Sequence, residues 1–539
     1  MIYIFYYYLI SVSILGYGFL LSRFLNINYL NFGFLGLIGI SFLITISYST
    51  TLFLVHDYYF NTLVLLLGIL FFLFFYEKKD FKSLIQYSVI FTILIIFILV
   101  AKNHDDFPYY HYPYSHFLTQ YEHPIGFGHL NNGFRNPSSL FFLNSLFFLP
   151  KIEFYLFNIS PVYFLGFSNI ILLNLIFSDR NFKENKLINF LSLLSISFIN
   201  IFFYRLAEHG TDRSGQILIF IIIILIIMVL NLKKKPSSIN KIFNLFNLTL
   251  ILSVILISLK PFYLIYLPII FFIFSKKNFR EDFSKILFSK TALYSSLFIF
   301  FVLFFNFINS GCLVYPAVFT CFENLYWSFP KEVVNDVNKW YELWAKAGAS
   351  PDYIVENQSE YINNFNWINN WIDNYFFNKV SDFILGLTFL TLVFWIYFLY
   401  GKKNIINQKK IEFKFIYIYL ILCLIEWFIK HPALRYGGYQ LFALLLFLPV
   451  AYNFYLKNVS FKEFNKKSWI IIFIVLTIFL SRNTIRITKE NTQYNYNPFV
   501  STKYIYDEKS YNRYIYYVED NKEKFKKIKI FGKNYLITK

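Results

Sequence analysis

The amino-acid sequence predicts an all-α integral membrane protein with about fourteen transmembrane helices. Of its 539 residues, 57% are hydrophobic and only 15% are charged, and the mean hydropathy is +0.49. Soluble domains carry roughly 25% charged residues, so most of this chain is predicted to lie in a bilayer. Apolar runs long enough to cross the hydrocarbon core occur at about 3–21, 33–50, 59–76, 84–101, 161–178, 187–204, 216–232, 242–258, 262–275, 291–309, 381–400, 415–429, 438–456 and 468–481.

The connections between these runs differ in charge, which predicts the orientation of the helices. Seven short connections hold 25 of the 50 Lys and Arg residues, the connections on the opposite face hold 12, and the C-terminal tail holds 13. Cytoplasmic loops carry an excess of Lys and Arg. The net charge of +19 therefore reflects topology and does not indicate a nucleic-acid partner. The non-cytoplasmic segments are predicted to be 102–160, 205–215, 259–261, 310–380 and 430–437.

The chain is expected to comprise a membrane domain, 1–481, and an outer-face polar tail, 482–539. The loops 102–160 and 310–380 would form a cap over an active site, and alternation near the C-terminus indicates a small hairpin. Two cysteines, Cys312 and Cys321, share one outer loop, where an oxidising compartment would allow a disulfide; the sequence leaves their pairing open. Ionisable residues are rare within the apolar runs and no internal repeat is evident, which disfavours an ion-coupled transporter.

Two acids, Asp105 and Asp106, directly follow the fourth apolar run. A carboxylate at the C-terminal end of a helix is repelled by the helix dipole by about 0.3–1 kcal/mol. Ionised groups are also costly near the membrane boundary. One carboxylate could act as general base on a hydroxyl while the other orients it or holds a cation. The alternative is a solvated pair of acids at a helix end.

Further polar residues on the same face could bind a sugar or a phosphate. Each has a structural alternative: Tyr109 can anchor at the interface, Asp212 can cap a helix, and Lys260 can snorkel. Arg435 suits bidentate phosphate contact, but Glu426 could instead be its structural counter-charge. The candidate substrate-binding residues are His104, Tyr109, His111, Arg135, Asp212, Lys260, Arg435 and Tyr436.

Two stripes of tryptophan occur in the 310–380 loop. Trp340 and Trp344 share one helical face, and Trp367 and Trp371 share another. Both stripes predict helices that lie on the membrane surface, where Trp more often anchors the chain than binds sugar.

These motifs resemble an uncharacterised family of bacterial polytopic membrane proteins affiliated with the C-type glycosyltransferase superfamily, membrane enzymes that take sugars from polyprenyl-phosphate carriers. The matching segments are DDFPYYHYP, GFGHLNNGFRNPSS, the isolated Lys260, SGCLVYP with Trp327 and WAKAG downstream, and RYGGY. The resemblance implies that Asp105 or Asp106 is the catalytic base, without deciding which. Two features depart from the superfamily: four spans precede the acidic loop where one is usual, and the tail lacks an expected cysteine pair.

The expected function is transfer of a sugar from a polyprenyl-phosphate carrier to an acceptor hydroxyl of a glycan, lipid or protein, on the outer face of a bacterial cytoplasmic membrane. Lys260, Arg435 and Arg135 would hold the donor phosphate, a role inferred from their chemistry and not from the family. A divalent cation could bridge carboxylate and phosphate, but no motif requires a metal or another cofactor. The alternatives are an O-antigen-type polymerase or ligase that relies on outer-loop arginines, and a non-catalytic flippase or transporter of lipid-linked sugars.

Overall fold

The computed structural model describes the chain except for residues 1, 29, 78–79, 105, 207–209, 233–238, 276–282, 350–354, 356, 401–411, 498–524, 531–532 and 539. The described part is almost entirely helical. Its α-helices are α1 Ile2–Phe24, α2 Phe32–Thr50, α3 Tyr58–Phe75, α4 Phe81–Leu94, α5 Tyr112–Gln120, α6 Ser139–Ser145, α7 Ser160–Ile176, α8 Asp179–Phe202, α9 Gly210–Asn231, α10 Ile239–Leu259, α11 Leu267–Phe271, α12 Phe283–Leu287, α13 Lys290–Ser310, α14 Lys331–Lys346, α15 Gln358–Ile362, α16 Ile368–Trp371, α17 Ser381–Phe394, α18 Lys414–Lys430, α19 Gly438–Leu456 and α20 Phe461–Tyr494.

Tighter or wider helical turns extend or connect several of these helices. Two π-helical stretches, Ile372–Val380 and Trp395–Leu399, join α16 and α17 into one helical run over 368–399. The remaining short turns are Ile95–Phe97, Phe107–His111, Phe127–His129, Asn132–Phe134, Pro261–Tyr266, Phe272–Ser275, Val318–Thr320, Asn363–Phe365 and Leu434–Tyr436. Near the C-terminus, β1 Phe525–Ile530 and β2 Lys533–Thr538 pair antiparallel as a hairpin.

Ten helices in the described part are long and apolar enough to cross a membrane, consistent with a polytopic membrane protein. Each of the ten coincides with one of the predicted apolar runs. The other four runs lie on shorter helical segments, at Phe81–Phe97, Ser160–Ile176, Pro261–Phe274 and Lys414–Lys430. The predicted helical membrane architecture is thus confirmed, and the count of fourteen spans stays a prediction.

The N-terminal helices pack closely because glycines lie at the contacts between them. Helix α1 lies against α2 and α3, and α2 lies against α7. A Cβ atom at Gly18 would lie 1.9 Å from the carbonyl oxygen of Leu35, and one at Gly39 would lie 1.9 Å from that of Ile14. Small residues allow such backbone contact between membrane helices, where dispersion forces stabilise the packing.

The second tryptophan stripe lies inside the protein rather than on the membrane surface. Trp367 and Trp371 are 1% and 5% exposed, and Trp371 Nε1 donates to the carbonyl oxygen of Pro432 at 2.8 Å. The predicted surface anchoring of these two residues is wrong. Because the helical run begins at Ile368 and continues to Leu399, the stripe belongs to the start of a candidate span, packed against the end of α18.

The last long helix extends beyond its predicted span and holds the acidic loop. Helix α20 continues to Tyr494, so its end carries Arg486 and Glu490, which form a buried ion pair of 2.7 Å. Glu490 Oε2 accepts hydrogen bonds from the backbone amides of Ala101 (3.0 Å) and Lys102 (3.2 Å). These contacts fix the chain shortly before Asp106.

The outer loop after α13 is closed by a disulfide between Cys312 and Cys321, the pairing that the sequence left open. We expect the double variant Cys312→Ser/Cys321→Ser to unfold this loop more easily. Closing a loop with a sequence separation of 9 restricts the unfolded chain and corresponds to about 2.5 kcal/mol. Thermal unfolding followed by tryptophan fluorescence, with and without reductant, measures the effect. Equal midpoints for the oxidised, reduced and double-variant proteins would contradict it.

Candidate functional site

Four charged side chains from distant parts of the chain form one continuous series of ion pairs. Arg435 Nη2 lies 3.2 Å from Asp106 Oδ2, and Arg435 Nε lies 3.3 Å from Asp212 Oδ2. Lys260 Nζ contacts the other oxygen of Asp212, Oδ1. The order Asp106, Arg435, Asp212, Lys260 therefore alternates negative and positive charge. We call these four residues the charge chain.

Two members of the charge chain occupy the favourable ends of helix dipoles. Asp212 lies in the first turn of α9, whose N-terminal partial positive charge favours a carboxylate. Lys260 follows the last residue of α10, whose C-terminal partial negative charge favours a cation. Pro261 then prevents α10 from continuing in regular form. The local sequence thus places these two opposite charges beside each other.

The other two members lie in short turns. Asp106 immediately precedes the π-helical turn Phe107–His111. Arg435 lies in the turn Leu434–Tyr436, which ends at Gly437 with a φ of +102°, a left-handed conformation that favours glycine. This bend lets α19 begin at Gly438, three residues after Arg435.

The charge chain is mostly desolvated but reachable. The exposed fractions of the side chains are 11% for Asp212, 24% for Lys260, 26% for Asp106 and 29% for Arg435. At such burial charges interact more strongly than in water. The three more exposed members can still contact a ligand.

The surroundings of Asp106 favour its ionised form. His104 Nδ1 lies 3.3 Å from Asp106 Oδ2, and the Tyr110 hydroxyl donates to the same oxygen at 3.3 Å. Burial raises the pKa of Asp106, but the hydrogen bond with His104 and the charge of Arg435 outweigh it, so the pKa lies well below its usual value. Burial lowers the pKa of His111 to about 3, so this imidazole is neutral near pH 7.

Aromatic side chains border Arg435. Its guanidinium carbon lies 5.4 Å from the ring centroid of Trp344 and 5.8 Å from that of Tyr436, within the range of cation–π attraction. Trp344 comes from α14, the first tryptophan stripe. Its predicted role as a membrane anchor does not account for this contact, because the ring packs against Arg435 and Tyr436.

Five of the predicted binding residues converge on Asp106 or its partners: His104 and His111 beside Asp106, and Asp212, Lys260 and Arg435 in the charge chain itself. Tyr436 borders Arg435. The structure shows that Arg435 pairs with two aspartates, so Glu426 is not its counter-charge; Glu426 Oε1 lies 3.9 Å from His431 Nδ1.

Two predicted binding residues lie elsewhere, and one predicted acid lies outside the described residues. Tyr109 is 55% exposed, and within the described part of the protein its side chain forms no hydrogen bond with the charge chain. Arg135 Nη1 donates to the Tyr315 hydroxyl at 3.1 Å, and its guanidinium lies 4.0 Å from the Phe329 ring centroid. Arg135 therefore joins two outer loops. Asp105 is the acid outside the described residues.

The site contains residues that the sequence interpretation missed. Gln216 Nε2 donates to the carbonyl oxygen of Arg435 at 3.1 Å, and the Tyr263 hydroxyl donates to the carbonyl oxygen of Asp212 at 2.8 Å. Gln216 follows Asp212 by four residues, a spacing that places the two side chains on one helical face. That spacing was the available signal for Gln216.

A cavity of about 20 Å³ lies beside the charge chain, lined in part by His111, Asn144, Asn158 and Thr211. This volume suits one water molecule, so a sugar would have to bind at the exposed edges of the charge chain. Within the described residues, no three His, Cys, Asp or Glu side chains form a group that could hold a metal ion.

The low pKa of Asp106 predicts acid sensitivity. The ionised carboxylate is favoured in the folded protein, so its stabilisation is fully present above the unfolded pKa of about 3.9. It is lost as the pH falls from there through the lower folded pKa. We expect the melting temperature to fall below about pH 4, and to fall less in Asp106→Asn. Thermal unfolding in detergent between pH 7 and pH 3 measures the melting temperatures of the wild type and of Asp106→Asn. If the two melting temperatures fall in parallel with pH, Asp106 is not the group responsible.

Comparison with known proteins identifies a family. The model of the family described as "Domain of unknown function (DUF8201)" matches residues 1–442, which is more than half of the chain. No curated protein and no solved structure matches the chain.

Proposed function

We propose that this protein, which belongs to the DUF8201 family, is a membrane glycosyltransferase that moves a sugar from a polyprenyl-phosphate carrier to an acceptor hydroxyl. The reaction would take place on the outer face of a bacterial cytoplasmic membrane. The observation that carries the proposal is the link made by Arg435 between Asp106 and Asp212. It puts a candidate base and a phosphate-binding cation in direct contact.

In the proposed reaction, Asp106 accepts the proton of the acceptor hydroxyl. The acceptor oxygen forms a bond to the anomeric carbon of the donor sugar, and the bond between that carbon and the phosphate oxygen breaks. The bonding electrons leave with the phosphate oxygen, so polyprenyl phosphate gains one negative charge. Arg435 and Lys260 stabilise this developing charge, the kind of preorganised interaction that lowers a barrier most effectively.

Donor binding would also activate the base. In the structure Arg435 contributes to the low pKa of Asp106, and a carboxylate with a very low pKa is a weak base. A donor phosphate that binds Arg435 would draw the guanidinium away from Asp106. The pKa of Asp106 would then rise toward its usual value. The carboxylate would become a stronger base only once the donor is in place.

A flippase for lipid-linked sugars remains the second candidate. The charge chain has no net charge, because its two carboxylates are matched by two cations. A balanced site can exchange its internal ion pairs for a phosphate without any bond cleavage. An O-antigen-type polymerase or ligase would rely on outer-loop arginines. Of these, Arg135 is held by Tyr315 and Phe329, whereas Arg435 is paired with Asp106 and Asp212.

The proposal is tested with the full-length protein in vesicles that contain radiolabelled polyprenyl-phosphate sugar and cell-envelope material as a source of acceptors. We expect release of polyprenyl phosphate together with label on the acceptor. Movement of intact donor between leaflets without release would overturn the enzymatic proposal in favour of the flippase. Release that is unchanged in Lys260→Gln and Arg435→Gln would overturn the assignment of the site.

A further inference from the structure

We propose that the protein holds the phosphate group of an anionic phospholipid in a second site, at the end of α10 opposite Lys260. A cavity of about 510 Å³ lies there between the end of α1, the start of α10 and the start of α13. Its volume falls in the range of ligand pockets. Helix α10 has 21 residues, so roughly 30 Å separates this cavity from the charge chain. The positive-inside pattern predicts that this end faces the cytoplasm.

The lining of the cavity suits an anionic, hydrogen-bonding ligand. Asn240, Asn244 and Asn247 line it from α10, at a spacing that places them on one helical face. Asn26 and Asn28 line it from the segment after α1. Among the described residues that line it, none is acidic. Amide groups can donate hydrogen bonds to phosphate oxygens.

Two of these amides lack partners. The side chains of Asn244 and Asn247 are partly buried, and within the described part of the chain neither has a hydrogen bond. Both amides are reachable from the cavity, so they can donate hydrogen bonds to a ligand without breaking a bond within the described protein. Both residues therefore favour a ligand with several oxygen atoms.

Lys290 supplies the charge. Its ammonium group lies 5.2 Å from the Phe24 ring centroid and has no ion pair among the described residues. It is also the first residue of α13, whose 21 residues direct a partial positive charge to the same place. An uncompensated lysine above a hydrogen-bonding cavity favours a phosphate over a neutral ligand.

The helix that carries Lys290 also favours a lipid as the source of the phosphate. Leu293, Leu297 and Phe300 follow Lys290 along α13 and are 58%, 47% and 57% exposed. Their spacing places them on one face that runs from the cavity toward the centre of the membrane. Acyl chains attached to a phosphate in the cavity could lie along this face, whereas inorganic phosphate would make no use of it.

The test compares ligands on the intact protein in detergent by native mass spectrometry and thermal unfolding. The probes are phosphatidylglycerol, phosphatidylcholine with the same acyl chains, and inorganic phosphate. We expect phosphatidylglycerol to bind at least about tenfold more tightly than phosphatidylcholine, which corresponds to about 1.4 kcal/mol. Lys290→Gln and, separately, Asn244→Leu/Asn247→Leu should each remove this preference.

Lys82→Gln is the matched control, since Lys82 is an exposed basic residue predicted on the same face but does not line the cavity. It should leave the preference for phosphatidylglycerol unchanged. Equal loss in Lys82→Gln would show nonspecific attraction to the basic face and overturn the site. Saturation by inorganic phosphate with the same affinity would overturn the lipid as its source, and a preference that survives both cavity variants would overturn the proposal.

Discussion

Asp106→Asn is expected to reduce the rate of sugar transfer by about 10²–10⁴-fold, the usual contribution of a general base. The amide keeps the size of the side chain and can still accept hydrogen bonds from Tyr110 and Arg435, but it cannot take a proton from the acceptor. The effect should fall on the transfer step, so polyprenyl phosphate should still bind. Initial rates of polyprenyl phosphate release, with the protein amount normalised by quantitative immunoblot, measure it.

The matched control for this variant is Asp336→Asn. Asp336 lies on the exposed side of α14, in the outer segment 310–380 predicted on the same face as Asp106, and has no ion pair among the described residues. It should leave both transfer and donor binding unchanged. A transfer rate in Asp106→Asn within about twofold of the wild type would contradict a general-base role, which normally contributes at least 10².

Arg435→Gln is expected to destabilise the fold and to abolish binding of polyprenyl phosphate. Removing the guanidinium leaves Asp106 and Asp212 without the cation that lies between them. Loss of one partner from a fully buried ion pair costs roughly 3–5 kcal/mol; since Arg435 and Asp106 are each more than a quarter exposed, we expect about 2 kcal/mol. Chemical unfolding measures the loss in the free energy of unfolding, and a binding assay with polyprenyl phosphate measures the loss of binding.

Second variants separate the charge effect from simple loss of packing. Adding Asp106→Asn to Arg435→Gln should restore part of the stability, because it removes the carboxylate that lost its cation, whereas Asp212 keeps its contact with Lys260. Lys430→Gln is the control: Lys430 precedes the same turn and is 53% exposed, with its ammonium 3.5 Å from Glu342 Oε2. It should change the free energy of unfolding by less than about 1 kcal/mol. Equal losses in the single and double Arg435 variants would contradict the charge chain.

Hydropathy predicted the helices, and the positive-inside pattern predicted which polar residues share a face. Apolar runs coincide with the helices because a membrane span requires a minimum length of apolar residues. The positive-inside pattern then placed Asp106, Asp212, Lys260 and Arg435 on one face, and in the structure these four side chains are in contact.

The pairing of Arg435 could not be read from the sequence. Glu426 is nine residues away along the chain, whereas Asp106 is 329 residues away. Only the packing of α9, α10 and the loops around them decides which carboxylate is within reach. Proximity along the sequence therefore favoured the wrong partner.

The extension of α20 was missed for a related reason. Residues 482–494 are polar, and a hydropathy pattern detects the part of a helix that is buried in lipid, not the part that continues beyond it. The buried pair of Arg486 and Glu490 stabilises this extension through contacts with Ala101 and Lys102. Those contacts are tertiary and leave no periodic signal in either segment.

The most direct test of the proposed site is an experimental structure of the protein with bound polyprenyl phosphate. We expect phosphate oxygens within hydrogen-bonding distance, about 3 Å, of Arg435 and Lys260, with the contact between Arg435 and Asp106 lengthened from 3.2 Å. A phosphate bound elsewhere, while Arg435 still contacts both Asp106 and Asp212, would contradict the proposed site.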